Sequence, residues 1–253
     1  MIHYVCNTLQ KYKKGDIMEK YRINSLMAGL LYMFGTIFGI VSAIVGGEVI
    51  ASSVQANPVS EGILLDLVAS DSTRLLGGSF FILLMGMSLV AMTAFLYPVF
   101  KKDNEELAMG MLLFRGVMEG TWYFITTLSF LALYAIGVEY VETGNTSTML
   151  QSLANIVYTF QDFVGAVGSI LFLIGATCLY ISFYRTKLIP RWLSIWGLIG
   201  VLPYMAYALL HLFGLDNGIG FYLQMVLAPQ ELVMAIWLIF KGFNSEAIKK
   251  LIT

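Results

Sequence analysis

Residues Leu107–Ile136 read LAMGMLLFRGVMEGTWYFITTLSFLALYAI, thirty residues in which Arg115 and Glu119 are the only charged side chains. A helix needs about 20 mostly apolar residues to cross a hydrocarbon core about 30 Å thick. A membrane β-strand would instead show segments of about 10 residues with alternating character, and nothing here alternates. The stretch therefore predicts a transmembrane helix with an ion pair inside the bilayer.

Five more stretches meet the same criterion: Ser25–Val45, Leu75–Val99, Leu153–Phe183, Trp192–Phe213 and Phe221–Phe240. The composition agrees. Of 253 residues 58% are hydrophobic and 12% charged, with a mean hydropathy of +0.78, against about 45–50% and about 25% in a soluble domain. That excludes a water-soluble enzyme and a disordered chain. Two cysteines, Cys6 and Cys178, exclude a disulfide-built fold. The expected fold is all-α, a polytopic membrane helix bundle of six transmembrane helices. It occupies residues 21–243, between an N-terminal tail at 1–20 and a C-terminal tail at 244–253. Spans three and four are long enough to tilt or to project beyond the membrane. Residues 1–20 lack the apolar core of a signal peptide, so the first span acts as the insertion signal. Met18 lies just ahead of that span, where a start codon would give a chain lacking the first 17 residues.

Orientation follows from the basic residues near the span ends. Lys11, Lys13, Lys14, Lys20 and Arg22 precede span one, and Lys101 and Lys102 follow span two. Arg185, Lys187 and Arg191 lie between spans four and five, and Lys241, Lys249 and Lys250 follow span six. Thirteen of the 15 basic residues thus share one side, while Glu48, Glu61, Asp66, Asp71, Glu139, Glu142 and Asp216 lie on the other. Both the N-terminus and the C-terminus are expected to be cytoplasmic. Tyr97, Trp192, Trp196 and Trp237 fall near the inner interface and Tyr134, Tyr140 and Tyr222 near the outer one, where amphipathic rings belong.

The longest outer connection repeats Val59, Ile63, Leu64, Leu67 and Val68 at helical spacing after Asn57-Pro58. That predicts a short amphipathic helix resting on the headgroups, with a lid over a cavity as the alternative. Asn145-Thr146-Ser147 matches a glycosylation triplet, a weak signal by itself.

Polar residues within the spans carry the functional information. Arg115 and Glu119 are four apart and share a helix face. Gln161 and Asp162 lie in span four, and Gln230 and Glu231 in span six. Counting from the span ends places Glu119, Asp162 and Glu231 near the midplane, with Arg115 a turn closer to the cytoplasm. Each charge costs about 2.5–3.5 kcal/mol at mid-helix, roughly 10–14 kcal/mol for the four before pairing. They are therefore expected to face the bundle interior. One reading is a polar site for a proton, ion or small ligand, with no cofactor and no metal; the other is a set of interhelical hydrogen bonds that fixes packing. Pro203 and Pro229 interrupt spans five and six in the same region, and broken helices often line transporter sites. Six spans would also divide into two halves of three, but FRGVMEG (Phe114–Gly120) and LAPQEL (Leu227–Leu232) share only the acid.

Gly35, Gly39, Ala43 and Gly47 recur every fourth position, a smooth stripe for a close neighbour. Internal packing is its first use, and a homo-oligomer contact the alternative. Gly165, Gly168, Ser169 and Ala176 form a similar set in span four. Only His3 and His211 are present, which excludes multi-histidine metal hydrolases. Cys178 and His211 belong to opposite membrane faces. A dyad of His211 with Ser79 or Ser129 stays open, and with it a lipid-modifying enzyme using outer-leaflet hydroxyls. No span contains a lysine for a Schiff base, and nucleic-acid and phosphate-loop signals are absent.

YRINSLMAGLLYMFGTIFGI (Tyr21–Ile40), Arg74-Leu75-Leu76-Gly77, Phe114-Arg115 with Glu119, and LIPRWLSIWG (Leu188–Gly197) resemble a bacterial multi-pass membrane family of unknown function, DUF4386. The resemblance covers about Tyr21 to Phe243. It implies a bacterial cytoplasmic membrane protein with Arg74, Arg115, Glu119, Pro190 and Arg191 at family-typical positions. Asp162 and Glu231 are outside that pattern, and no activity comes with it. The function expected is a carrier or binding protein for a proton, ion or small polar ligand. Its site would comprise Arg115, Glu119, Gln161, Asp162, His211, Gln230 and Glu231, and its partner would be the lipid bilayer. An accessory or sensor protein without a ligand is the third reading.

Overall fold

Lipid offers peptide groups no hydrogen-bond partner, so a spanning segment must satisfy its own, and every long segment of this chain is helical. The computed structural model describes residues 2–54, 59, 63–70, 72–215 and 220–252, with the backbone alone for 2–17, 54 and 221. Asn57, Pro58, Glu61, Asp71 and Asp216 lie outside the described residues, as do the side chains of His3 and Cys6. The described helices are α1 (Ile2–Val45), α2 (Gly47–Val54), α3 (Leu64–Ser70), α4 (Ser72–Phe100), α5 (Glu105–Met111), α6 (Glu119–Glu142), α7 (Thr148–Thr186), α8 (Arg191–Leu212), α9 (Gly220–Gln224), α10 (Ala228–Phe240) and α11 (Ser245–Ile252). Leu112–Met118, between α5 and α6, forms a π-helical turn.

Among the described residues six stretches are long and apolar enough to span a membrane: Met18–Val45, Ser72–Phe100, Glu105–Glu142, Thr148–Thr186, Arg191–Leu212 and Tyr222–Phe240. An even number of spans returns both ends to one side. In each span half or less of the most apolar stretch is buried. Ile44, Phe80, Met87, Phe124, Ile156 and Leu202 point outward while Arg115, Glu119, Gln161 and Gln230 are buried. This arrangement suits lipid rather than water.

The third and fourth spans do project. At 1.5 Å per residue the 39 residues of α7 extend about 58 Å, well beyond the hydrocarbon thickness. Their outer ends carry a second apolar core, built from Val49, Ile50, Leu64, Leu65, Val68, Leu75, Ile82, Phe130, Leu133, Tyr140, Ala154 and Tyr158. The amphipathic helix α3 belongs to that core: Leu64, Leu65 and Val68 are buried against α6 and α7. The headgroup-resting expectation is thereby corrected, since an apolar face gains more by docking on projecting helices than by lying at the interface. Within the 244–253 tail, Ser245–Ile252 forms helix α11. Ala247 and Ile248 of α11 join the inner core, and the Asn244 N–H donates to the Leu188 carbonyl at 2.9 Å.

Two arginines close helix ends. Arg74 donates to the Ile44 and Val45 carbonyls at 2.8 and 3.1 Å, where α1 turns into α2 through Gly47 at φ +71°. Arg22 donates to the Ile239 carbonyl at 2.7 Å at the end of α10. Both satisfy carbonyls that the last helical turn leaves free. At the inner loop after α4, the Glu105 carboxylate bonded to Lys101 raises that ammonium above the usual lysine range.

In the glycine stripe, Gly35 packs on Leu89 and Gly39 on Met85. Internal packing accounts for these two positions. Gly47 lies beyond the helix break and is not part of a continuous stripe.

Candidate functional site

Span three bulges where Arg115 stands. The π-helical turn widens the helix at Leu112–Met118, a deviation that recurs at functional sites. Gly175 of α7 makes room for it, since a Cβ there would overlap the Arg115 backbone. Span six is broken nearby. Between α9 and α10 the chain turns at residues 225–227, and Pro229 in the first turn of α10 has no N–H to leave unbonded. The Trp196 indole N–H donates to the freed Val226 carbonyl at 3.0 Å. The break brings a helix N-terminus into the bundle with Gln230 and Glu231 in its first turn, where a carboxylate is favoured by the helix dipole.

These irregularities converge. Arg115 donates to Glu119, to the Tyr32 hydroxyl at 2.7 Å and to Glu231 Oε1 at 3.3 Å, while the Tyr32 hydroxyl donates to Glu231. The guanidinium lies 4.3 Å from the ring centre of Phe172. Arg115 and Glu119 are 2% and 1% exposed, and Glu231 20%. Spans one, three, four and six are thereby tied at one point, with one cation shared by two carboxyls.

Gln230 is not part of that knot. Its Oε1 accepts from Tyr180 at 2.8 Å and its Nε2 donates to the Leu193 carbonyl at 2.9 Å, joining spans four, five and six. Asp162 is elsewhere too. Its carboxylate meets His211 Nε2 at 3.1 Å, and His211 is the next-to-last residue of α8. Asp162 therefore stands level with the outer end of span five, which corrects the midplane placement. A count from the span ends centres α7 on the bilayer, whereas its 39 residues extend past the outer end of the 22-residue α8. The expected convergence of Arg115, Glu119, Asp162 and Glu231 divides into two groups.

The second group opens on a cavity of about 270 Å³ in the outer half of the bundle. Asp162, His211 and Gln161 line it, and Gln161 accepts from Ser53 at 3.1 Å. Trp122, Tyr123, Tyr204 and Tyr207 supply aromatic walls. Tyr207 lies against His211, ring centres 5.4 Å apart, and Tyr204 against Phe172 at 5.7 Å. Phe172 is the ring that carries Arg115, so one aromatic layer separates the cavity from the ion cluster. The proposed serine partners of His211 are engaged elsewhere: Ser79 donates to the Leu75 carbonyl and Ser129 to that of Ile125. Neither lines the cavity.

Residues 27–242 match the family model described as Domain of unknown function (DUF4386), most of the chain. The chain belongs to the DUF4386 family. Among curated proteins and solved structures nothing matches. Within this DUF4386 chain, sequence reasoning missed Tyr32 and the cavity rings. Tyr32 does follow Ser25 and Ala28 at helical spacing on the buried face of α1, a signal that was there to be read. The rings carried no such mark among 35 aromatic residues.

Proposed function

We propose that the chain is a carrier or binding protein for a small polar ligand in a bacterial cytoplasmic membrane, with both termini cytoplasmic and residues 21–243 as its membrane domain. The observation that supports this is the 270 Å³ cavity with a carboxylate, an imidazole and several amide and hydroxyl groups on its wall, inside a bundle whose sixth span is broken. Ligand pockets hold a few convergent polar groups on aromatic walls, in volumes of about 300–1,000 Å³ for drug-sized molecules. A cavity slightly below that range suits a small solute. The ion cluster beneath it joins the spans that a carrier would have to move.

The test asks whether water reaches the cavity. Gly165 lines it, and a Cβ there meets nothing within 4 Å. In a Cys6→Ser, Cys178→Ser background, the Gly165→Cys thiol should react with membrane-impermeant methanethiosulfonates from the outer side in right-side-out vesicles. Ser53→Cys provides a second position. Absence of reaction at both positions, in protein that still runs as a single folded species, would end this reading.

A further inference from the structure

Every hydroxyl in a membrane span needs a partner, and most here find one a turn back on their own helix. Ser88, Thr93, Thr121, Thr127, Thr177 and Ser182 all donate to carbonyls three or four residues earlier. Thr126 does not. Its Oγ1 is buried, the residue is 6% exposed, it lines the cavity, and among the described residues it has no hydrogen-bond partner. A buried hydroxyl without a partner costs about 1–3 kcal/mol unless something supplies one.

The cavity holds one carboxylate with an imidazole beside it. Asp162 is its carboxylate, and no lysine or arginine lines it among the described residues. His211 Nε2 meets that carboxylate at 3.1 Å. Trp122, Tyr204 and Tyr207 line the same cavity, and aromatic ring faces are negative. A carboxylate among aromatic faces is the chemistry that recognises ammonium groups rather than anions or neutral solutes.

We infer that this cavity takes a small organic ammonium ion, with its cationic head at Asp162 against the aromatic rings and a hydrogen-bonding group at Thr126. The inference rests on the reading of the cavity as a ligand site. The same head group occurs free, as in choline, and on lipids, as in phosphatidylethanolamine.

The experiment is calorimetric titration of the purified full chain in dodecyl maltoside with choline, tetramethylammonium and 3,3-dimethylbutan-1-ol, the uncharged isostere of choline. Saturable binding of choline is expected, at least about tenfold tighter than the isostere and weakened about tenfold by Asp162→Asn. Thr126→Val should weaken choline and leave tetramethylammonium unchanged, which a merely structural threonine would not do. If free amines fail to bind, nanodiscs of phosphatidylglycerol with and without phosphatidylethanolamine decide the lipid source. An Asp162-dependent gain in thermal stability with the ethanolamine lipid assigns the site to a headgroup. Equal binding of the uncharged isostere, indifference to Asp162→Asn, or neither amine binding nor a lipid effect overturns the inference. The Gly165→Cys thiol separates the two failures. Reaction at equal rates with cationic and anionic reagents keeps the cavity reading and removes the ammonium, whereas no reaction with either removes both.

Discussion

The knot at Arg115 and the cavity above it lie one aromatic layer apart, and they treat charge in opposite ways. In the knot the two carboxyls and the tyrosine hydroxyl are engaged with one another or with the guanidinium, and Arg115 and Glu119 are withdrawn from solvent. Its buried Arg115 Nε and Glu119 Oε2 have no hydrogen-bond partner among the described residues. In the cavity Asp162 is 37% exposed with one histidine partner, and Thr126 has none. The first arrangement resembles a fastening and the second a vacancy for a polar guest. Buried ions held by several partners are costly to disturb. Exposed pairs contribute about 0–1 kcal/mol.

That contrast orders the expected effects. Arg115→Leu should destabilise most, by about 3–5 kcal/mol, because it strands the buried Glu119 carboxyl and the half-buried one of Glu231; thermal unfolding in detergent reads it. Gly175→Ala should follow at about 1–3 kcal/mol, since its methyl meets the Arg115 backbone rather than a side chain that can swing aside. Glu231→Gln should cost about 1 kcal/mol, for it loses a charge-assisted bond yet leaves one cation facing one carboxylate. Its melting curve should therefore lie between those of Glu119→Gln and wild type. Asp162→Asn should move stability by less than about 1 kcal/mol while changing how the cavity discriminates charge. Were Asp162→Asn to melt the protein as Arg115→Leu does, the two regions would not differ in kind.

The Arg115–Glu119 contact was legible because it depends on local geometry: side chains four apart on a helix meet whatever surrounds them. The contact survives even the π-helical turn that begins the pair. Glu231 was legible as an acid that needed a partner, though not which partner. Tyr32 was legible as a buried-face residue of α1 by its spacing from Ser25 and Ala28, though not as the partner of Arg115. Asp162 was misplaced because a count from the helix ends assumes that each span is centred on the bilayer. With α7 reaching past the outer end of α8, a residue 14 positions into a 39-residue helix becomes an outer-half residue.

By itself the sequence determined the six spans, the face that carries the basic loops, and the presence of charged residues inside apolar segments. It could do so because hydrocarbon imposes its demands segment by segment: length, apolar character and internal hydrogen bonding are properties of each helix alone. The tertiary structure alone decided which charges share a partner, that Asp162 pairs with His211 and not with Arg115, and that four rings enclose a cavity above the knot. Those outcomes depend on helix offsets, a widened turn and a broken sixth span. Each arises from packing between segments far apart in the chain.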